Sequence, residues 1–122
     1  MKPDFRAIIA CGRNFDDYEL LKTKCDYFLS QKLLTHNVII ISGMANGADS
    51  LGCKYALEKG LKVEEYPANW TLYGRSAGPI RNKQMAQISD ALIAFWDGIN
   101  CGTKSMIDFA KELDLKVAVV YY

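Results

Sequence analysis

Residues 38–50 read VIIISGMANGADS. The four aliphatic residues from Val38 to Ile41 show no polar alternation, the pattern of a parallel strand covered on both faces by helices. A small glycine-bearing turn follows, and LGCKYALEKG after it predicts a helix from about Ala48 to Lys59 with Gly60 as its stop. Such a turn can present backbone N–H groups and a helix N-terminus to an anion, the dipole alone contributing about 0.3–1 kcal/mol. A tight turn that needs Gly43 and Gly47 only for their dihedral angles explains the same residues without any ligand. The rest of the chain has to decide between them.

Working outward, residues 5–11 (FRAIIAC) predict a first strand ended by Gly12. Asp16 with Glu19 three places on forms a capping box, opening a helix with Leu21, Cys25, Phe28, Leu29 and Leu33 at helical spacing and an end near Thr35. Downstream of the opening stretch, residues 61–66 (LKVEEY) give a more polar third strand, expected at an edge. A long connection, PANWTLYGRSAG, leads to a helix beginning near Pro79, a residue suited to a first turn. Residues 91–96 (ALIAFW) are a fourth strand, residues 104–113 a last helix with Thr103 as N-cap, and residues 116–121 (KVAVVY) a fifth strand. No repeat, low-complexity tract or linker interrupts the series. Strands alternating with helices predict an α/β, doubly wound, mainly parallel five-stranded sheet with helices on both faces, as a single domain over residues 1–122.

Ligands of such sheets bind beyond the carboxyl ends of the strands, where strand order reverses. The loops themselves agree with that rule. Those after strands are GRNF, SGMANGADS, PANWTLYGRSAGP and WDGINCGT, rich in Gly, Asn, Asp and Arg, whereas those after helices are THN, KG, SD and DLK. Of the four arginines, Arg13, Arg75 and Arg81 fall in or beside strand-following loops, while the eleven lysines lie mostly on helix surfaces. Arginine's rigid fork of donors suits phosphate or carboxylate, so the expected ligand is anionic. Solvated surface arginines are the plainer alternative. The turn DGINCGT at 97–103 repeats the glycine arrangement of 42–49 before the last helix, and the 67–79 loop is long enough to suggest a binding or lid role. Trp70 and Tyr73 are placed to stack on a base or to plug the core end of that loop.

Composition limits the remaining choices. Half of the residues are apolar, 24% are charged and the net charge is +1, the balance of a globular protein without a basic surface for nucleic acid. The apolar runs are too short for a membrane span or a signal peptide, which predicts a cytoplasmic protein. Cys11, Cys25, Cys53 and Cys101 contain no C-x-x-C pair, and the one histidine, His36, sits in a helix-to-strand turn on the opposite edge. Neither a metal site, a disulfide framework, a histidine-based triad nor a bound cofactor is implied.

The order GR, SGMANGAD, YPANWTLYGRSAGPIRNKQM and AFWDGINCGT resembles the YspA-like branch of the SLOG superfamily, related to the lonely-guy phosphoribohydrolases and to DNA-processing protein A. The resemblance covers nearly the whole chain, with GPIRN and DGxxxGT its most specific parts. It implies a Rossmann-like domain that senses or processes nucleotide-derived ligands, commonly as an oligomer. By position, Gly12 and Arg13, Ser42, Gly43, Asn46, Gly47, Ala48 and Asp49, Arg75, Gly78, Arg81 and Asn82, and Asp97, Gly98, Gly102 and Thr103 would line the site. Lonely-guy enzymes carry PGGxGTxxE, whose glutamate works with an arginine to cleave the N-glycosidic bond of a nucleoside monophosphate. Here the PGG is WDG and the glutamate position is Met106, which cannot act as acid, base or ion stabiliser.

The expected function is therefore binding of a nucleotide-derived small molecule of the ADP-ribose, cyclic-nucleotide or NAD-derivative class, as a sensor or sequestering module. Arg75, Arg81 and the glycine-turn amides would hold phosphate, Asp49 or Asp97 a ribose, and Trp70, Tyr73 or Trp96 would face the base. A nucleotide N-glycosidase, phosphoribohydrolase or phosphohydrolase is the alternative, with Arg81, Asp97 and Asp49 as catalytic candidates. DNA binding of the DNA-processing type is a second alternative, and near-neutral charge counts against it. Apolar residues on several faces of the last two helices (Ile80, Met85, Ile88, Met106, Ile107, Phe109) fit either a homo-oligomer or packing on both sides.

Overall fold

The protein is described by a computed structural model that covers residues 2–12, 14–43 and 49–122, with residues 49 and 50 as backbone only. Arg13, Asn46, Gly47 and Ala48, all expected at the site, lie outside these described residues.

The apolar runs become strands: β1 (Asp4–Cys11), β2 (Asn37–Ser42), β3 (Lys62–Glu65), β4 (Ala91–Trp96) and β5 (Lys116–Tyr121). All pair in parallel, in the order β3-β2-β1-β4-β5. The polar β3 is an edge, as its sequence predicts. Helices α1 (Tyr18–Thr35) and α2 (Asp49–Lys59) connect the first three strands, α4 (Ala77–Ile88) crosses back to β4, and α5 (Cys101–Glu112) leads to β5. Alternation along the central strand divides the core into two layers. Phe5, Ala7 and Ile9 pack with Leu21, Cys25 and Leu29 of α1 and Tyr55 of α2, while Ile8 packs with Met85 of α4 and Met106 and Ile107 of α5. The fold is thus an α/β, Rossmann-like, all-parallel sheet. Its strand order reverses between β1 and β4, where open α/β sheets place their ligands.

Several local expectations are corrected. The cap of α1 is Asp17, whose carboxylate accepts from the Leu20 N–H at 3.1 Å, and not Asp16. Phe28 is 39% exposed, because the buried stripe of α1 runs through Leu21, Cys25 and Leu29 and leaves position 28 one step around the helix. The 67–78 connection contains a one-turn helix, α3 (Trp70–Tyr73), and a 3₁₀ turn at Gly74–Ser76. Asn69 caps α3 by accepting from the Leu72 N–H at 3.0 Å. Helix α4 begins at Ala77, so Pro79 sits within its first turn, where no intrahelical donor is missed. Helix α5 begins at Cys101 and is capped by Asn100, while Thr103 is 4% exposed and lies inside it. The stop of α2 is Gly60 as predicted: its φ is 68°, and the Leu61 N–H reaches back to the Ala56 carbonyl at 2.8 Å.

Helices α1 and α2 are clipped together by Tyr55, which is fully buried and donates its hydroxyl to Asp26 at 2.8 Å; Lys59 approaches the same carboxylate at 3.0 Å. Among the described residues no helix is long and apolar enough to cross a membrane. No disulfide joins the cysteines among the described residues.

Candidate functional site

A cavity of about 470 Å³ opens beyond the end of β1, at the reversal of strand order. Its apolar wall is made by Ile8 to Cys11 of β1 with Met85 and Met106. Gly43 borders it just past β2, Trp70 and the start of α4 (Gly78, Pro79) border it on another side, and Asn100 to Thr103 bring in the start of α5. Arg81 supplies the one positive charge among the described lining residues, which include no Asp, Glu or His.

Two hydrogen bonds to described residues hold Arg81. Its Nη1 donates to the Gly43 carbonyl and its Nε to Asn82 Oδ1 at 3.0 Å. A Cβ added at Gly43 would stand 2.6 Å from Arg81 Nη1, so this glycine is required by a close approach. Asn82, 6% exposed, donates its Nδ2 to the Gly102 carbonyl at 3.3 Å and so ties α4 to the first turn of α5. Trp70 is 56% exposed, and its ring stands 3.6 Å from where a Gly78 Cβ would lie. It borders the cavity from the outside and does not plug the core.

The 97–100 turn builds the other lip. Asp97 Oδ1 accepts from the Ile99 and Asn100 N–H groups at 2.8 Å each, and these two backbone hydrogen bonds hold its carboxyl below the usual value. Gly98 adopts φ 85°, which the turn needs. The Trp96 indole N–H is spent on the Asn100 carbonyl at 3.0 Å. Asn100 in turn accepts from the Thr103 N–H at 3.0 Å through its side chain and from Lys104 through its carbonyl. The amides of Cys101 and Gly102 are left as the unpartnered first-turn donors of α5 among the described residues.

The structure brings Gly43, Trp70, Gly78, Arg81, Asn82, Gly102 and Thr103 to one cavity. Gly12, Ser42, Tyr73, Arg75, Asp97 and Gly98 do not line it. Gly12 lies against the Tyr122 hydroxyl, Ser42 is buried at the end of β2, and Arg75 projects from the exposed 3₁₀ turn. Asp97 Oδ1 and the Trp96 indole N–H are both engaged within the turn. Of the catalytic candidates, Arg81 stands at the cavity, Asp97 stands off it, and the side chain of Asp49 is outside the described residues. Sequence reasoning missed Cys11, Met85, Asn100 and Cys101 as lining residues. Position at the carboxyl end of a central strand marks Cys11, and position within the DGINCGT turn, where α5 starts, marks Asn100 and Cys101.

The model of the YspA, cpYpsA-related SLOG family matches residues 5–73. The Gene 61 protein of Mycobacterium phage D29 is 28% identical over 88 residues, spanning 67% of this chain and 70% of the phage protein. Among solved structures, TM1055 superposes with a TM-score of 0.64 at 15% identity, covering 93% of this chain and 72% of its own. DNA processing protein A (DprA) from Streptococcus pneumoniae superposes with a TM-score of 0.69 at 16% identity over 97% of this chain, which spans 50% of DprA. At those identities the two structures show a shared fold. The family match itself runs from β1 through β2 and the glycine turn to α3, the stretch that carries six of the seventeen described residues lining the cavity, and on it the chain belongs to the YspA, cpYpsA-related SLOG family.

Proposed function

We propose that the cavity binds a nucleotide-derived small molecule of the ADP-ribose, cyclic-nucleotide or NAD-derivative class, and that the chain works in the cytoplasm as a sensor or sequestering module. One observation carries this: a fixed guanidinium and the start of α5 meet at a cavity whose remaining lining is largely apolar. Phosphate is assigned to Arg81 and the amides of Cys101 and Gly102, where charge-assisted hydrogen bonds and the helix dipole act together. The base is assigned to the exposed face of Trp70 and the wall of Met85 and Met106, since thioethers contact aromatic rings favourably.

Binding is preferred over hydrolysis because no carboxylate or imidazole among the described lining residues stands ready to move a proton. The nucleotide-hydrolase reading keeps Asp97 and Asp49 as its candidates. It predicts release of base or phosphate from a supplied nucleotide and loss of that release in Asp97→Asn or Asp49→Asn. Self-association is part of the proposal, supported by the exposed apolar residues Tyr27 and Leu34 on α1, and sedimentation analysis tests it.

The deciding experiment is calorimetric titration of AMP, cyclic AMP, ADP-ribose and NAD into wild type and Arg81→Ala. A binder among them should lose about 10- to 100-fold in affinity in the variant, the worth of a charged hydrogen-bonding pair. Equal affinity in both proteins, or no binding by wild type, sinks the reading.

A further inference from the structure

Asn82 differs from its neighbours at the cavity in having both ends of its amide engaged by protein groups. Its oxygen accepts from Arg81 Nε at 3.0 Å and its nitrogen donates to the Gly102 carbonyl at 3.3 Å. The two partners fix which end is which, because a guanidinium only donates and a carbonyl only accepts. Aspartate would offer two acceptors and no donor, and an aliphatic residue neither.

We propose that Asn82 is a positioning residue, which sets Arg81 and the first turn of α5 in register before any anion arrives. This rests on reading the cavity as an anion site. An unrestrained arginine side chain loses rotamer freedom when a ligand immobilises it. Here that ordering is done in advance, at Nε by Asn82 and at Nη1 by the Gly43 carbonyl, so affinity is not spent on it. The second arm, to Gly102, holds α5 at a fixed distance from the same guanidinium. One buried amide therefore sets the spacing between two groups that would share a phosphate.

The test measures Arg81 itself and then a probe ligand. In Asn82→Ala, hydrogen exchange at Arg81 Nε, followed by nitrogen-15 NMR, should quicken about tenfold, and the affinity for AMP or ADP-ribose should fall about tenfold. Asn82→Asp separates the two arms and serves also if the alanine variant folds poorly. It keeps the acceptor for Arg81, so Nε exchange should stay slow, while binding is weak at neutral pH. On acidification the protonated carboxyl donates to the Gly102 carbonyl as the amide did, and affinity relative to wild type at the same pH should recover. Unchanged Nε exchange in Asn82→Ala, or a pH-independent affinity ratio for Asn82→Asp, overturns the positioning role. Quickened Nε exchange with no probe bound by wild type overturns the ligand reading instead, and the two failures are thereby distinct.

Discussion

At Gly43 the requirement for glycine comes from a neighbour, since its φ is not among the positive ones. A methyl group there would meet Nη1 and Cζ of Arg81 at 2.6 and 2.9 Å. The obstacle is the far end of a long side chain, so the guanidinium moves and the backbone stays. Gly43→Ala should leave the melting temperature within a few degrees of wild type, a change under about 1 kcal/mol, and lower nucleotide affinity toward that of Arg81→Ala. Comparing thermal denaturation with calorimetry checks both halves. The sequence made Gly43 and Arg81 legible singly, one as a turn residue and one as a cation. Their contact was not legible, because it joins positions far apart in the chain through a rotamer. Arg75 shows the converse: its place in a strand-following loop resembled that of Arg81, yet an intervening 3₁₀ turn carries it into solvent.

Among the elements, strands were legible and the capping residues of the helices were not. A run such as ALIAFW, short and without polar alternation, has the pattern of a strand covered on both faces, and β4 occupies those residues. Helix starts turn on which of several neighbouring side chains reaches an orphan N–H, as at Asp16 against Asp17 and Asn100 against Thr103. Asn100→Ala should cost about 1 kcal/mol of stability, measured by denaturant titration, because the cap of α5 is lost. The clip between α1 and α2 gives a pH-dependent case. Burial works against ionisation of Asp26, but hydrogen bonds from Tyr55 and Lys59 overcome it and the carboxyl titrates below its usual value. A folded value below the unfolded one means that the stabilisation is complete above about pH 4 and is lost as the pH falls through the folded value. Tyr55→Phe should therefore destabilise by about 1 kcal/mol at neutral pH, with the difference from wild type shrinking in acid melts.

For the whole molecule, the cavity lies at the reversal of strand order, at the tip of the central strand, with the starts of α4 and α5 bordering it. The edge that carries the cavity was readable from loop composition. The cavity wall was not, because Ile8, Met85 and Met106 look like ordinary core residues until the helices are placed. With a net charge of +1, the chain should show no salt-sensitive retention of single-stranded DNA at micromolar concentration in filter binding. Retention that falls as salt rises would move the DNA-processing alternative ahead of the nucleotide reading.

The chain has two tryptophans, and they sit in unlike places: Trp70 stands more than half exposed at the cavity lip, and Trp96 is fixed by its indole N–H to Asn100. Intrinsic fluorescence therefore divides into a wet emitter beside the opening and a sheltered one behind it. A guest that covers Trp70 would quench or blue-shift only the first, so a Trp70→Phe protein supplies the silent background against which occupancy can be followed without any added label.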